Sequence, residues 1–207
     1  MSYYDRYTAA LSQALNNVEC TTAENLSLNH EEMVDWLCQA SRRILAGGRR
    51  QYFCGNGASS AFASHMALDW SKNGRVPSPP LSDVSLLTAV MNDSGADRLF
   101  SLPLECYATT GDLLITISSS GNSPNIISAQ KTARAIGMEI VTLSGLKSDN
   151  ASRAAGDLNI YVPAKSYGIV ECAHQALLHS WLDCFLGIEE DSLEKAQNMN
   201  LTGSNIQ

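Results

Sequence analysis

Apolar residues recur three and four apart through the first fifty positions. Tyr7, Leu11, Ala14 and Leu15 form one set, and Met33, Leu37, Ala40, Ile44 and Leu45 another. That spacing predicts two amphipathic helices, each with one face to bury. Asn29 or His30 ahead of Glu31 and Glu32 opens the second helix, and Gly47 with Gly48 ends it. From residue 51 the period changes. Residues 51–54 are a short apolar run that stops at Gly55-Asn56-Gly57, followed by a helical pattern over 58–72. The same alternation recurs three times: a strand over 112–118 and a helix over 124–136; a strand over 138–144 and a short helix over 150–155; a strand over 158–162 and a long helix over 168–186. The strands are continuous apolar runs, as strands covered on both faces are. Strands alternating with helices predict an α/β fold, a doubly wound parallel sheet with an N-terminal helical extension. Three segments follow: helices over 1–48, the α/β unit over 49–190, and a polar, loosely ordered tail over 191–207.

Composition changes this picture little. Of 207 residues, 44% are hydrophobic and 17% charged, which excludes a disordered or fibrous chain. A formal net charge of −7 argues against a surface that wraps nucleic acid or coats an anionic membrane. It leaves room for a small anionic substrate, because backbone N–H groups and hydroxyls can hold a phosphate without basic side chains. The six cysteines are widely spaced, with no C-x-x-C, and read as reduced core thiols rather than a disulfide framework. The first residues have neither a basic nor an apolar leader segment, so a cytoplasmic protein is expected.

Ligands of open α/β sheets bind at the carboxyl ends of strands. Two strand ends here are rich in glycine and hydroxyls: Gly55-Asn56-Gly57-Ala58-Ser59-Ser60 and Ser118-Ser119-Ser120-Gly121-Asn122-Ser123-Pro124. Small residues let the backbone approach an anion, and the helix starts that follow supply N–H donors. Neither loop fits the nucleotide-binding glycine patterns. His65 and Asp69, four apart, share a helix face, and the last helix carries Glu171 and His179 among apolar residues. Two histidines with two carboxylates suit Zn²⁺ or a similar ion, although the spacing alone is no known ligand signature.

Taken in order, these blocks, with Asn92-Asp93 between them, resemble the phosphoheptose (sedoheptulose-7-phosphate) isomerases of the SIS domain superfamily. The resemblance runs from about Leu45 to Leu186. It implies a flavodoxin-like sheet, a homotetramer with active sites shared between subunits, and a bound Zn²⁺. It also implies that D-sedoheptulose 7-phosphate is converted to D-glycero-D-manno-heptose 7-phosphate through an ene-diolate, for surface polysaccharide. The substrate and its phosphate would be held by Asn56, Gly57, Ser59, Asp93, Ser118, Ser119, Ser120 and Ser123. The metal and acid–base set falls on His65, Asp69, Glu171 and His179, with Asp69, Glu171 and His179 catalytic.

Three positions depart from that pattern. Asp69 stands where the family has Glu, Glu171 where it has Gln, and Gly168 where it has Arg. Lys165 and Tyr167 lie near enough in sequence to replace the arginine. A carboxylate survives and both histidines are kept, so either Asp69 or Glu171 is available as base. Glu171 and His179 are ~12 Å apart along one helix, too far for one ion. Either the helix begins after Glu171 or two subunits build the site. The rival expectation is a non-catalytic SIS tetramer that binds a protein such as a replication initiator, or a sugar-phosphate sensor; the retained histidines favour an enzyme.

Overall fold

Gln51–Gly55 is buried at every position and Leu113–Ser118 likewise, so neither strand has a solvent face to keep polar. The computed structural model describes residues 1–188; the predicted tail over 191–207 lies outside them. In chain order the elements are α1 (Tyr3–Asn16), β1 (Glu19–Thr22), β2 (Ser27–Leu28), α2 (His30–Ala46), β3 (Gln51–Gly55), α3 (Ala58–Lys72), α4 (Val84–Ser94), α5 (Ser101–Tyr107), β4 (Leu113–Ser118), α6 (Pro124–Ile136), β5 (Glu139–Gly145), β6 (Leu158–Val162) and α7 (Tyr167–Leu186). Asn29 caps α2 in a reciprocal arrangement with Glu32, and a single 3₁₀ turn capped by Asn150 joins β5 to β6.

One sheet runs β2-β1-β6-β5-β4-β3, parallel from β3 to β6. β1 pairs antiparallel with both β6 and β2. This corrects the all-helical reading of the first 48 residues. Four residues with one buried side chain, Cys20, give no usable period, and β1 exists because β6 offers it a free edge. The sheet is therefore mixed, and its N-terminal segment adds strands as well as helices.

Alternate side chains of each strand enter opposite cores. Phe53, Ile115, Val141 and Ile160 meet α2, α3 and α7 through Leu37, Met66, Trp70, Val170 and Trp181. Tyr52, Cys54, Leu114 and Ile140 meet α5 and α6 through Leu104, Ile126 and Ala129. The helices after β3 and β4 thus lie on opposite faces. Between them the chain passes outside β3, where the Pro77 carbonyl accepts from the Gln51 N–H at 2.9 Å. It then returns through α4 and α5 to enter β4. Connections that diverge in this way open a crevice at the carboxyl ends of β3 and β4.

Of the six cysteines, all unpaired, Cys20, Cys38 and Cys54 are buried but Cys106, Cys172 and Cys184 are exposed. The core-thiol reading holds for three. The others follow helical positions that face outward, which burial of neighbouring residues in the sequence does not reveal.

Candidate active site

The crevice is floored by the two glycine–hydroxyl loops. At the first, a Cβ on Gly55 would lie 2.7 Å from the Ser59 backbone, so only glycine lets α3 start directly against the strand. α3 opens on Gly57, at φ +56°, with no side-chain cap; the Ser59 and Ser60 N–H groups donate to the Asn56 and Gly57 carbonyls at 3.0 Å. At the second, Gly121 has φ +64°, and a Cβ there would strike the Asn150 amide at 2.0 Å. α6 opens on Ser123 and Pro124, and the Ser123 hydroxyl makes no capping bond. Asn56 and Asn125 exchange amide hydrogen bonds of 2.9 Å in both directions, fastening one loop to the other.

Asn56, Ser59, Ser118, Ser119, Ser120, Ser123, Tyr167 and Glu171 line a cavity of about 130 Å³ between these loops. Ser59, Ser118 and Ser119 are buried, and the Ser119 hydroxyl has no hydrogen-bond partner among the described residues. The lining contains no lysine or arginine. Hydroxyls and two helix N-termini are what it offers an anion.

The second group lies further along α3 and α7. The Asp69 carboxylate is 3.2 Å from His65 Nε2, and the His65 and His179 rings meet edge to face with centroids 5.3 Å apart. One donor atom from each of His65, Asp69 and His179 falls within 4.8 Å of the others. Two imidazoles and a carboxylate are the donor types a zinc-like ion takes. His65 is exposed, and Asp69 and His179 half-buried. Ser59 to His65 is ~9 Å of helix rise and Glu171 to His179 ~12 Å. Cradle and triad are thus separated by about the length of an extended sugar phosphate.

Not every expected residue joins. Glu171 lies in the second turn of α7, which excludes a late helix start, and it faces the cradle rather than the triad. Asp93 is exposed near the end of α4, accepting from its neighbour Asn92 at 2.7 Å, outside the cavity lining. Tyr167 reaches the cradle, whereas Lys165 lines a different cavity beside α1. A Cβ at Gly168 would stand 3.2 Å from the Tyr7 hydroxyl, so α1 occupies the space there. Sequence reasoning passed over Gln175, whose amide nitrogen is 2.6 Å from His179 Nε2. Its position one turn before a candidate ligand was the available signal.

A strand–loop–helix crevice of this kind is the usual ligand site of an α/β domain, and comparison with known proteins gives the family. Residues 6–145 match the SIS domain family. A phosphoheptose isomerase of Campylobacter concisus is 38% identical over 149 residues, 69% of this chain and 78% of the relative. One from Mycobacterium tuberculosis is 34% identical over 172 residues, 79% of this chain and 87% of the relative. The solved phosphoheptose isomerase of Francisella tularensis superposes with a TM-score of 0.75 at 25% identity, over 89% of this chain and 98% of its own. The chain belongs to the phosphoheptose isomerase family of SIS domain proteins.

Proposed function

We propose that the protein interconverts D-sedoheptulose 7-phosphate and D-glycero-D-manno-heptose 7-phosphate, an aldose–ketose isomerisation that serves nucleotide-heptose and surface polysaccharide synthesis. One observation carries this reading. An anion cradle without basic side chains lies between the β3–α3 and β4–α6 loops, and a His–Asp–His cluster lies about a sugar's length along α3 and α7, which also line that cradle.

In this reading the hydroxyls of Ser59, Ser118, Ser119, Ser120 and Ser123, with the N–H groups near Asn56 and Gly57, fix the phosphate. Binding at that remote end positions the reacting carbons. C1 and C2 then fall at the triad. His65, Asp69 and His179 would hold a Zn²⁺, which when bound supplies electrophilic stabilisation of the ene-diolate oxygens. Asp69, oriented by His65, has a second oxygen free to move the proton between the two carbons. Glu171, in the cradle lining, would contact the sugar hydroxyls, and is the second carboxylate able to take the base role where a neighbouring subunit presents it to the triad. Where the metal does not occupy its ring, His179 would act as the acid on the carbonyl oxygen.

The shared tetrameric site belongs to the same proposal, with residues 1–48 packing on the core and on neighbouring subunits. A cavity of about 130 Å³ suits a phosphate group, whereas whole small-molecule sites run to roughly 300 Å³ and above. Leu68 on α3 and Val84 on α4 are 60% and 74% exposed, as residues awaiting a neighbour would be. Asp93 would then enter from another subunit. A cytoplasmic location fits six unpaired cysteines; among the described residues no helix is long and apolar enough to cross a membrane.

The test is incubation of purified protein with D-sedoheptulose 7-phosphate, followed by proton NMR of the aldose anomeric signal. Conversion is expected, lost with chelator and restored by Zn²⁺. Conversion unaffected by chelator removes the metal, and no conversion of any phosphorylated ketose removes the isomerase. An active species that sediments as a monomer removes the shared site.

A further inference from the structure

α2 and α7 lie side by side where two of the cysteines sit. The Cys38 thiol donates to the Trp181 carbonyl at 3.8 Å. One turn further along both helices, the Arg42 guanidinium lies 5.9 Å from the centre of the Phe185 ring. Steps of four on each helix keep the contact in register, so Cys184, just before Phe185, borders the Cys38 side chain. The two sulfurs are near enough to share a hydrogen bond. Cys38 is buried and Cys184 exposed. Burial, and after it the Cys184 sulfur, push the Cys38 thiol up to about 12. Cys172, by contrast, has the Tyr7 hydroxyl 3.8 Å from its sulfur.

We propose that Cys38 and Cys184 form a reversible oxidation site, closing a disulfide between α2 and the last turn of α7 when the protein meets a hydroperoxide. Neither cysteine lines the cradle or belongs to the His–Asp–His cluster, so the site stands independently of the isomerase reading.

Exposure divides the two roles. A thiol held as high as Cys38 stays protonated and inert toward peroxide, which leaves the exposed Cys184 to react first. The Cys184 thiolate attacks one peroxide oxygen; the S–O bond forms, the O–O bond breaks and hydroxide leaves. Cys184 is then a sulfenic acid, oxidised by two electrons. The Cys38 sulfur attacks the Cys184 sulfur; the S–S bond forms, the S–O bond breaks, and the Cys38 proton leaves with the oxygen as water. Two thiols and one hydrogen peroxide thus give one disulfide and two waters. A resolving thiol within reach also keeps Cys184 from passing to the sulfinic acid, which thiols do not reverse.

A disulfide needs its Cβ atoms about 3.5–4.5 Å apart. Cys184 lies in the last turn of α7, which ends at Leu186. Helix ends open most easily, so the closing movement falls on a segment that can supply it. The bond would tie the end of the helix that carries Glu171 and His179 to α2. In a compartment kept reducing by glutathione it would open again once the oxidant is gone.

The experiment treats reduced full-length protein with a small excess of hydrogen peroxide, for the wild type, Cys38→Ala, Cys184→Ser and Cys172→Ser. Thiols are counted after denaturation, the intact chain is weighed, and the bond is located by peptide sequencing in the mass spectrometer. In the wild type the count should fall from six to four with a mass loss of about 2 Da, the two hydrogens removed, and dithiothreitol should restore both. Cys172→Ser should still form the bond and Cys184→Ser should form none. Cys38→Ala should hold Cys184 as a sulfenic acid that dimedone captures. An unchanged thiol count, thiols lost with a gain in mass, or a bond that uses Cys106 or Cys172 or joins two chains overturns the site. So does a disulfide formed in Cys184→Ser, or a folded Cys38→Ala chain that dimedone leaves unlabelled. The wild-type readouts decide even where Cys38→Ala fails to fold.

Discussion

Ser119 shows most directly what single side chains in the crevice are for. A buried hydroxyl without a partner among the described residues is a small debit to the fold, and a group bound in the cradle would offset it. Ser119→Ala is expected to leave stability within about 0.5 kcal/mol of wild type, because no internal hydrogen bond is lost. The same change should raise KM roughly 10-fold or more, since a hydrogen bond to a charged phosphate is worth about 1.5–3 kcal/mol. His179→Ala should instead lower kcat, because the proposed function places it at the reacting carbons. Steady-state kinetics with chemical denaturation checks both, and a KM effect from His179 equal in kind to that from Ser119 would contradict the roles. That Ser59, Ser118, Ser119, Ser120 and Ser123 lie together at strand ends was legible in the sequence, because glycine- and serine-rich stretches close two of the predicted strands. The place of Gln175 beside His179 was not, because a glutamine inside a helix is ordinarily a solvated surface residue.

At the scale of elements, α7 joins the two halves of the site and carries a histidine with a different task. His174 is fully buried, and its Nε2 sits 3.1 Å from the Ser144 carbonyl of β5. Burial holds its pKa down to about 4, from an ordinary 6.5, against the smaller upward pull of that hydrogen bond. The folded protein therefore keeps the ring neutral where the unfolded chain protonates it. The resulting stability is complete above pH 6.5 and lost as pH falls toward 4, by about 3 kcal/mol in all. Urea midpoints at pH 7 and pH 4.5 should show a steeper loss for wild type than for His174→Gln, and equal slopes would contradict this. The helices α3, α6 and α7 were legible to within a residue or two because period and caps agree. β1 and β2 were not, since strands of four and two residues are set by their neighbours rather than by their own pattern.

For the whole molecule, the crevice exists because α3 and α6 leave neighbouring strands toward opposite faces of the sheet. Ligand bound there bridges β3, β4 and, through Tyr167 and Glu171, α7. Inorganic phosphate should therefore raise the unfolding temperature, with a gain of about 2.7 kcal/mol at 100 times its Kd. Ser120→Ala should reduce the gain; an unfolding temperature indifferent to phosphate up to high millimolar concentration would contradict the cradle. The amino-acid sequence alone determined the alternation of strands and helices, the two glycine- and serine-rich loops and the histidine pair, because each is written in local spacing and residue type. The tertiary structure decided which residues share a site. It put Glu171 with the cradle, left Asp93 outside it, brought Gln175 to His179 and paired β1 with β6. Such pairings depend on how helices and strands distant in sequence lie against one another, and no local pattern records that.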